Sequence, residues 1–600
     1  MLCFRNLAPA LLAILVVAIT PSSAVAQADN NQPIQAPVSP LQINVRNVLV
    51  DVVVTDKKGA AVPNLHKEDF EVLENGKPQA IEYFEPHFPS ASAPAQPAPP
   101  LPPNTFTNVP AAEPNQAINL LLMDALNTTT QDQAFARQRI VKYLGTIPRG
   151  LRIGVFLLGD RLRIIQGFTD DSTLLRTSVE RLAGNPVAVA MEATPNELAS
   201  QSTSMNNLYS MAADPGGPGA NGGAQLAEMI GHLQDFLATS TAEQQNQQLL
   251  ITLDALQAIA HYVSAIPGRK NLIWFVGSFP LCFPGITTSN INCPYEDQIK
   301  KTVDALAAAR VSVYPISTGG VAAPNADMGS ITGSSSNGSS PLQAAMKNSG
   351  QDSGAFELIA SDTWAEQTGG VATHHNDLKG GLAEAIQNGS SYYTVAYTPT
   401  DSKEIGRERK IAIHLKEEGY KLSYRRNYFE RTAGEIKTNA SKPMTDPLRP
   451  LMDRGMPSFS DLHFRLHVHP DTAPPTPGTP PNGDNAALQP PFRHYTVRFF
   501  LSPQNLNLIE SADGTRRAPV EVALIVYSQR GESLNWLVRS VNLAIRADQW
   551  AFAESNGIPF HFDFDMPPGD VYLRAGIYDA STERAGTLEV PAAAIHAASK

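Results

Sequence analysis

Six hundred residues are too many for one hydrophobic core, and a chain 42% hydrophobic and 17% charged is globular with polar or Pro-rich joints, so three folded units and at least one linker are expected. The formal net charge of −11 argues against a nucleic-acid partner, because neutralising phosphates takes a basic face. No Lys/Arg cluster goes beyond Arg425-Arg426, which reads as a solvated strand end.

Residues 1–26 have the pattern of a secretory signal: Arg5, an almost wholly apolar run from Leu7 to Ile19, then Ala24-Val25-Ala26 as a cleavage site before Gln27. The run is shorter than the ~20 apolar residues of a membrane span. No transmembrane anchor is therefore expected after cleavage, and the chain is expected to be secreted or periplasmic. Cys3 would leave with the signal. In such a compartment Cys282 and Cys293, joined by FPGITTSNIN, are expected to form a disulfide.

Residues 41–85 read as an N-terminal β module, with Val48, Val50, Val52 and Val54 on one face and Glu74-Asn75-Gly76-Lys77 as a hairpin turn. The Pro/Ala-rich stretch 86–115 reads as an extended spacer. Over 116–430 strands alternate with helical patterns. The strands are Leu120–Met123, Ile153–Leu158, Leu162–Ile165, Leu272–Val276, Val311–Ile316 and Tyr392–Tyr397. That order predicts a doubly wound α/β domain, a parallel sheet covered on both faces, interrupted by loop insertions at 184–242 and 319–354. Residues 439–456 read as a second linker, and the short strands of 460–595, without helical pattern, predict a C-terminal β-sandwich.

The most informative stretch is LLLMDALNT, Leu120 to Thr128. Its apolar strand delivers Asp124, Asn127 and Thr128 to the C-terminal edge of the sheet, where open α/β sheets bind ligands. Gly277 and Ser278, after the apolar strand Leu272–Val276, fall at the same edge. A plainer role for Asp124, Asn127 and Thr128 is to cap the following helix.

Together with PGRKNLIWFVGSFP (Pro267 to Pro280), WAEQTGGVATHHNDLKGGLAEAI (Trp364 to Ile386), SYYTVAYTP (Ser391 to Pro399) and VDVVVTDKKGAAVPNLHKEDFEVLENGKPQAI (Val50 to Ile81), this stretch resembles the VWFA-related proteins. That family, known chiefly from acidobacterial genomes, has a divergent von Willebrand factor A (VWA) domain and no settled biochemical role. The resemblance covers Leu41 to about Phe429, and the region from Leu462 looks like the β domain of some members. It implies a Rossmann-like VWA fold, whose metal-ion-dependent adhesion site uses Asp-x-Ser-x-Ser because a hard divalent cation takes oxygen ligands. Asp124 and Thr128 match that pattern, but Leu126 supplies no oxygen. Thr239 or Thr241 would serve the second loop, and Gly277-Ser278 stands where the third loop has a carboxylate. Asp124 and Thr128 thus make a degenerate metal site. No cofactor is expected, and any Mg²⁺ or Ca²⁺ would be held weakly.

Other chemistries lack their parts. A phosphotransferase built on Asp124 needs a second Asp where Leu126 stands, and no Gly-rich phosphate loop, His-Glu-x-x-His or Gly-x-Ser-x-Gly is present. His374-His375 near Asp377 reads as a polar loop. His463, His467 and His469, with Arg465 interposed, read as one solvent-facing strand face. The expected function is that of a non-enzymatic protein-interaction or scaffolding protein with an unidentified protein partner. Its contact surface would be the sheet edge with Asp124, Asn127, Thr128, Gly277 and Ser278. The alternatives are metal-dependent adhesion through an incomplete site, and a hydrolase whose catalytic groups are scattered across modules.

Overall fold

The computed structural model describes residues 48–88, 101–109, 118–147, 150–182, 223–277, 295–318, 353–374, 378–400, 408–429, 448–471 and 480–596. The expected signal (1–26) and the cysteines Cys282 and Cys293 fall outside them. Among the described residues no helix is long and apolar enough to cross a membrane.

Five strands form a central sheet in the order Val311–Ser317, Lys270–Val276, Ile118–Asp124, Ile153–Leu158, Leu162–Thr169. The first four run parallel and the last is antiparallel, so the sheet is mixed where a parallel one was expected. Only three residues, Gly159 to Arg161, join the last two strands, and a parallel crossover needs a dozen or more. Every residue of Ile118–Asp124 is buried because both faces are covered. Leu120 and Leu122 pack with Leu253, Leu256, Val303 and Trp364 from helices Gly223–Val263, Glu296–Ala308 and Ser353–Thr368. Leu121 and Met123 pack with Ile140, Val179 and Leu382 from helices Thr130–Leu144, Ser172–Glu180 and Leu378–Ser390. The chain leaves Ile118–Asp124 for a strand on one side and later returns to Lys270–Val276 on the other. Strand order therefore reverses at Asp124, the position at which open sheets leave a crevice.

The N-terminal β module is not self-contained, contrary to the boundaries 41–85. Tyr392–Tyr397, expected as the last strand of the central sheet, pairs instead with Val48–Thr55 and Ile81–His87. A second sheet pairs Phe70–Glu74 with Glu408–Leu415 and Lys77–Gln79, the latter through the Asn75-Gly76 turn, whose positive φ angles of 48° and 78° suit a tight hairpin. Val50, Val52, Val54, Val72, Tyr393, Val395, Tyr397, Ile411 and Ile413 share one core. The sequence SYYTVAY explains the outcome. Tyr393, Val395 and Tyr397 alternate with Tyr392 and Thr394, which face Arg269 and Arg310 of the central domain, whereas a strand covered on both faces is apolar throughout. Within this core Glu74 pairs with Arg409 at 2.6 Å and accepts from the Tyr397 and Tyr428 hydroxyls at 2.8 and 2.7 Å, so the buried charge is met from three other strands.

The two parts are joined at the N-terminal ends of the central strands. Arg310 donates to both Asp51 oxygens and to Thr394. Arg269 donates to the Tyr314 hydroxyl and the Gly369 carbonyl. Lys270 donates to the Ala309 carbonyl. Burial, aided by Arg310 and opposed by Asp51, pushes its ammonium down to about 7. Arg425, read from sequence as a solvated strand end, reaches inward to the Leu49 carbonyl, and burial lowers its guanidinium.

The C-terminal region has two antiparallel sheets lining one core of Leu466, Val497, Phe499, Val522, Leu524, Phe564, Leu573 and Ile577. It also holds a short helix, Trp550–Asn556, which was not expected. The stretch 86–115 is more than a spacer, since Thr105–Thr107 adds an edge strand to Phe464–Pro470. Asn108 then donates to the Phe459 and Leu462 carbonyls. Residues 448–456 are likewise docked rather than free. Arg574, wholly buried, donates to the carbonyls of Leu451, Met456 and Pro457. Ser460 bonds the His261 and Tyr262 carbonyls at the end of helix Gly223–Val263, satisfying acceptors that a helix terminus leaves open.

Candidate functional site

Asp124 ends the central strand with 2% of its surface exposed. Asn127 donates to its Oδ1 from the backbone and to its Oδ2 from Nδ2, both at 2.9 Å. The indole Nε1 of Trp274, on the neighbouring strand, donates to Oδ2 at 2.9 Å. Burial raises the carboxyl to about 6, and the hydrogen bonds from Asn127, Trp274 and the Leu126 backbone pull against that rise. Asn127 Nδ2 also reaches Thr252 Oγ1 on helix Gly223–Val263, at 2.9 Å.

Thr128 Oγ1 accepts from the Gly277 backbone at 2.8 Å, closing the crevice between the two central strands. Gly277 has to be small here, because a Cβ would lie 3.0 Å from Thr128 Cα and 3.1 Å from the Asn127 carbonyl oxygen. Gln133 holds the loop from the other side, donating to the Ala125 and Thr128 carbonyls. The helix Thr130–Leu144 is capped by Thr129, whose side chain accepts from the Asp132 backbone, so the capping role read for Asp124, Asn127 and Thr128 belongs to the next residue.

The structure thus brings Asp124, Asn127, Thr128 and Gly277 together, while Ser278 lies outside the described residues. Thr239 and Thr241 fall inside helix Gly223–Val263, which begins within the stretch 184–242 expected to be loop, so neither sits on a second loop. A cation does not fit the side chains present. Both Asp124 oxygens face N–H donors, Thr128 Oγ1 already accepts a hydrogen bond, and Leu126 is buried with no oxygen to give.

Sequence reasoning missed Trp274, Thr252 and Gln133. Trp274 carried a signal, since a buried indole N–H needs an acceptor and register places Trp274 opposite Leu122, two residues from Asp124. Of the histidine candidates, His374 follows Thr373, which bridges Ile316 near the end of a central strand, while His467 and His469 lie in a C-terminal sheet. His374 pairs with Asp362 at 2.8 Å, and His375 and Asp377 lie outside the described residues. His467 and His469 stack at 6.5 Å, with Arg498 opposite His467, and His463 precedes the strand. Among the described residues no group of three or more His, Cys, Asp or Glu could hold a metal ion.

No family model and no curated protein matches the chain. Solved structures similar to part of it include an aerotolerance-related membrane protein from Bacteroides fragilis, at 10% identity over 46% of this chain and 98% of that one, with a TM-score of 0.22. Proximal thread matrix protein 1 from the mussel byssus follows, at 12% identity over 45% and 47%, TM-score 0.19. A von Willebrand factor type A from Catenulispora acidiphila is 9% identical over 56% and 70%, TM-score 0.16. At scores this low the reading of the site rests on strand order and side chains.

The Asp124 carboxyl yields a test by pH. Its folded value of about 6 lies above the ordinary carboxyl value of 3.8, so the folded chain holds the proton more tightly. Stability from this group is full below about pH 4 and is lost as pH rises through about 6, a change on the order of 2–3 kcal/mol. Denaturant unfolding from pH 4 to 7 should show wild type losing that increment relative to Asp124→Asn. Parallel pH profiles for the two would contradict the assignment.

Proposed function

We propose that this chain is an exported, non-enzymatic protein-interaction protein whose contact surface is the C-terminal edge of the central sheet. In this reading the domain is a doubly wound VWA-like fold with a degenerate adhesion site, set between the N-terminal β unit and a C-terminal β-sandwich. The observation that carries it is the filled Asp124 carboxylate, met by Asn127 and Trp274 instead of a cation. The edge keeps its position at the strand-order reversal while Asp124 serves the fold. Leu182 and Thr318 line the same depression as Asp124, and Gly277 bonds Thr128, so three connections start from this surface. Helix Thr130–Leu144 presents Phe135 to solvent in its second turn.

A photo-crosslinking amino acid at Phe135 should capture a discrete protein partner that the same group at exposed Trp536, on the C-terminal sheet, does not. Identical captures from both positions would remove the sheet edge as the contact surface. Export and the Cys282–Cys293 bond, proposed from sequence, are tested by the intact mass of chain recovered outside the cytoplasm. The mass should correspond to a start at Gln27 and rise on reduction and alkylation. A chain starting at Met1, or two thiols alkylated without reduction, would contradict one proposal or the other.

A further inference from the structure

We propose that the depression beside Asp124 binds a carboxylate carried on a short aliphatic group, in the form of the C-terminal residue of a protein partner. The proposal rests on the sheet edge being a contact surface and names what that surface recognises. Met123, Leu157, Leu182 and Phe275 make the lining of this shallow, open depression predominantly apolar. Arg137, half-exposed on helix Thr130–Leu144, stands in its lining with no hydrogen bond or ion pair among the described residues. It differs in this from Arg269, Arg310, Arg409 and Arg574, each tied to protein acceptors.

The one carboxylate in the lining cannot serve Arg137 as a partner, because Asp124 is buried and its oxygens are turned to Asn127 and Trp274. Among the described residues the Thr318 hydroxyl, in the same wall, is buried without a hydrogen-bond partner. An apolar wall with Arg137 beside it, unpaired among the described residues, matches a ligand that is aliphatic at one end and anionic at the other. A partner ending in Leu, Ile or Val offers both groups on one residue, whereas an internal residue of a partner offers no carboxylate beside its aliphatic side chain.

The test uses the full mature chain and a fluorescent peptide, Gly-Gly-Gly-Gly-Leu, with a free C-terminal carboxylate. Anisotropy should rise saturably, the C-terminal amide should bind at least tenfold more weakly, and Arg137→Gln should weaken the free peptide at least tenfold while Arg137→Lys keeps part of the affinity. Arg137 is half-exposed and unpaired among the described residues, so these variants should fold. Equal binding of acid and amide, unchanged binding by Arg137→Gln, or no saturable binding would overturn the proposal. If 4-methylpentanoate displaces the peptide at matching concentrations, the ligand is a free aliphatic acid and the partner's C-terminus is overturned as its source. Should crosslinking from position 135 persist in Arg137→Gln, the contact surface stands and this recognition alone fails.

Discussion

A carboxylate withdrawn from water has to be met by donors or a cation, and at the centre of this molecule Asn127 and Trp274 meet Asp124. That choice fixes much else. The Trp274 indole ties the end of one central strand to its neighbour, and Asn127 extends the tie to Thr252 on the long helix. Thr128 and Gly277 seal the crevice beside them. An edge that elsewhere in such folds offers oxygens to a ligand has here spent them on holding strand, loop and helix in register.

The rest of the chain supports that edge from below and from the side. The β unit under the sheet is built from segments on both sides of the α/β domain, so its Asp51, Tyr392 and Thr394 cannot be placed until residues more than three hundred positions apart have paired. Its contact with the sheet is charged. Arg310 on Asp51 and Thr394, with the Arg269 backbone N–H on the Tyr392 hydroxyl, sets orientation through directional bonds. The C-terminal sheets attach by Arg574 gripping a segment of backbone and by Ser460 closing a helix end. Both attachments satisfy carbonyls that would otherwise be buried without partners. The described elements thereby leave the C-terminal edge of the central sheet as the side on which insertions begin.

The sequence was most legible where burial is continuous or turns are forced. The apolar runs ending at Met123, Val276 and Ile316 are strands of the central sheet, and Asn75-Gly76 turns a hairpin. Chain order alone puts Tyr392–Tyr397 in the central sheet, and only the alternation of Tyr393, Val395 and Tyr397 with Tyr392 and Thr394 points to the other sheet. Thr105–Thr107 and residues 448–456 were hidden for a related reason. They are held by backbone bonds and by single side chains, Asn108 and Arg574, that leave no pattern in composition. At the site, Asp124, Asn127, Thr128 and Gly277 could be named from the chain, but their mutual bonds could not. The difference between a cation site and a filled one lies in where the Trp274 N–H points.

Divalent-metal titration followed by thermal unfolding tests that difference most directly. With Mg²⁺, Ca²⁺ or Mn²⁺ raised to the millimolar range of weak extracellular sites, the melting temperature of the full mature chain should not rise saturably, and Asp124→Ala should respond to metal as wild type does. A saturable rise in wild type that Asp124→Ala abolishes would show that a cation displaces the Asn127 and Trp274 donors, and the account of a filled, metal-independent edge would be wrong.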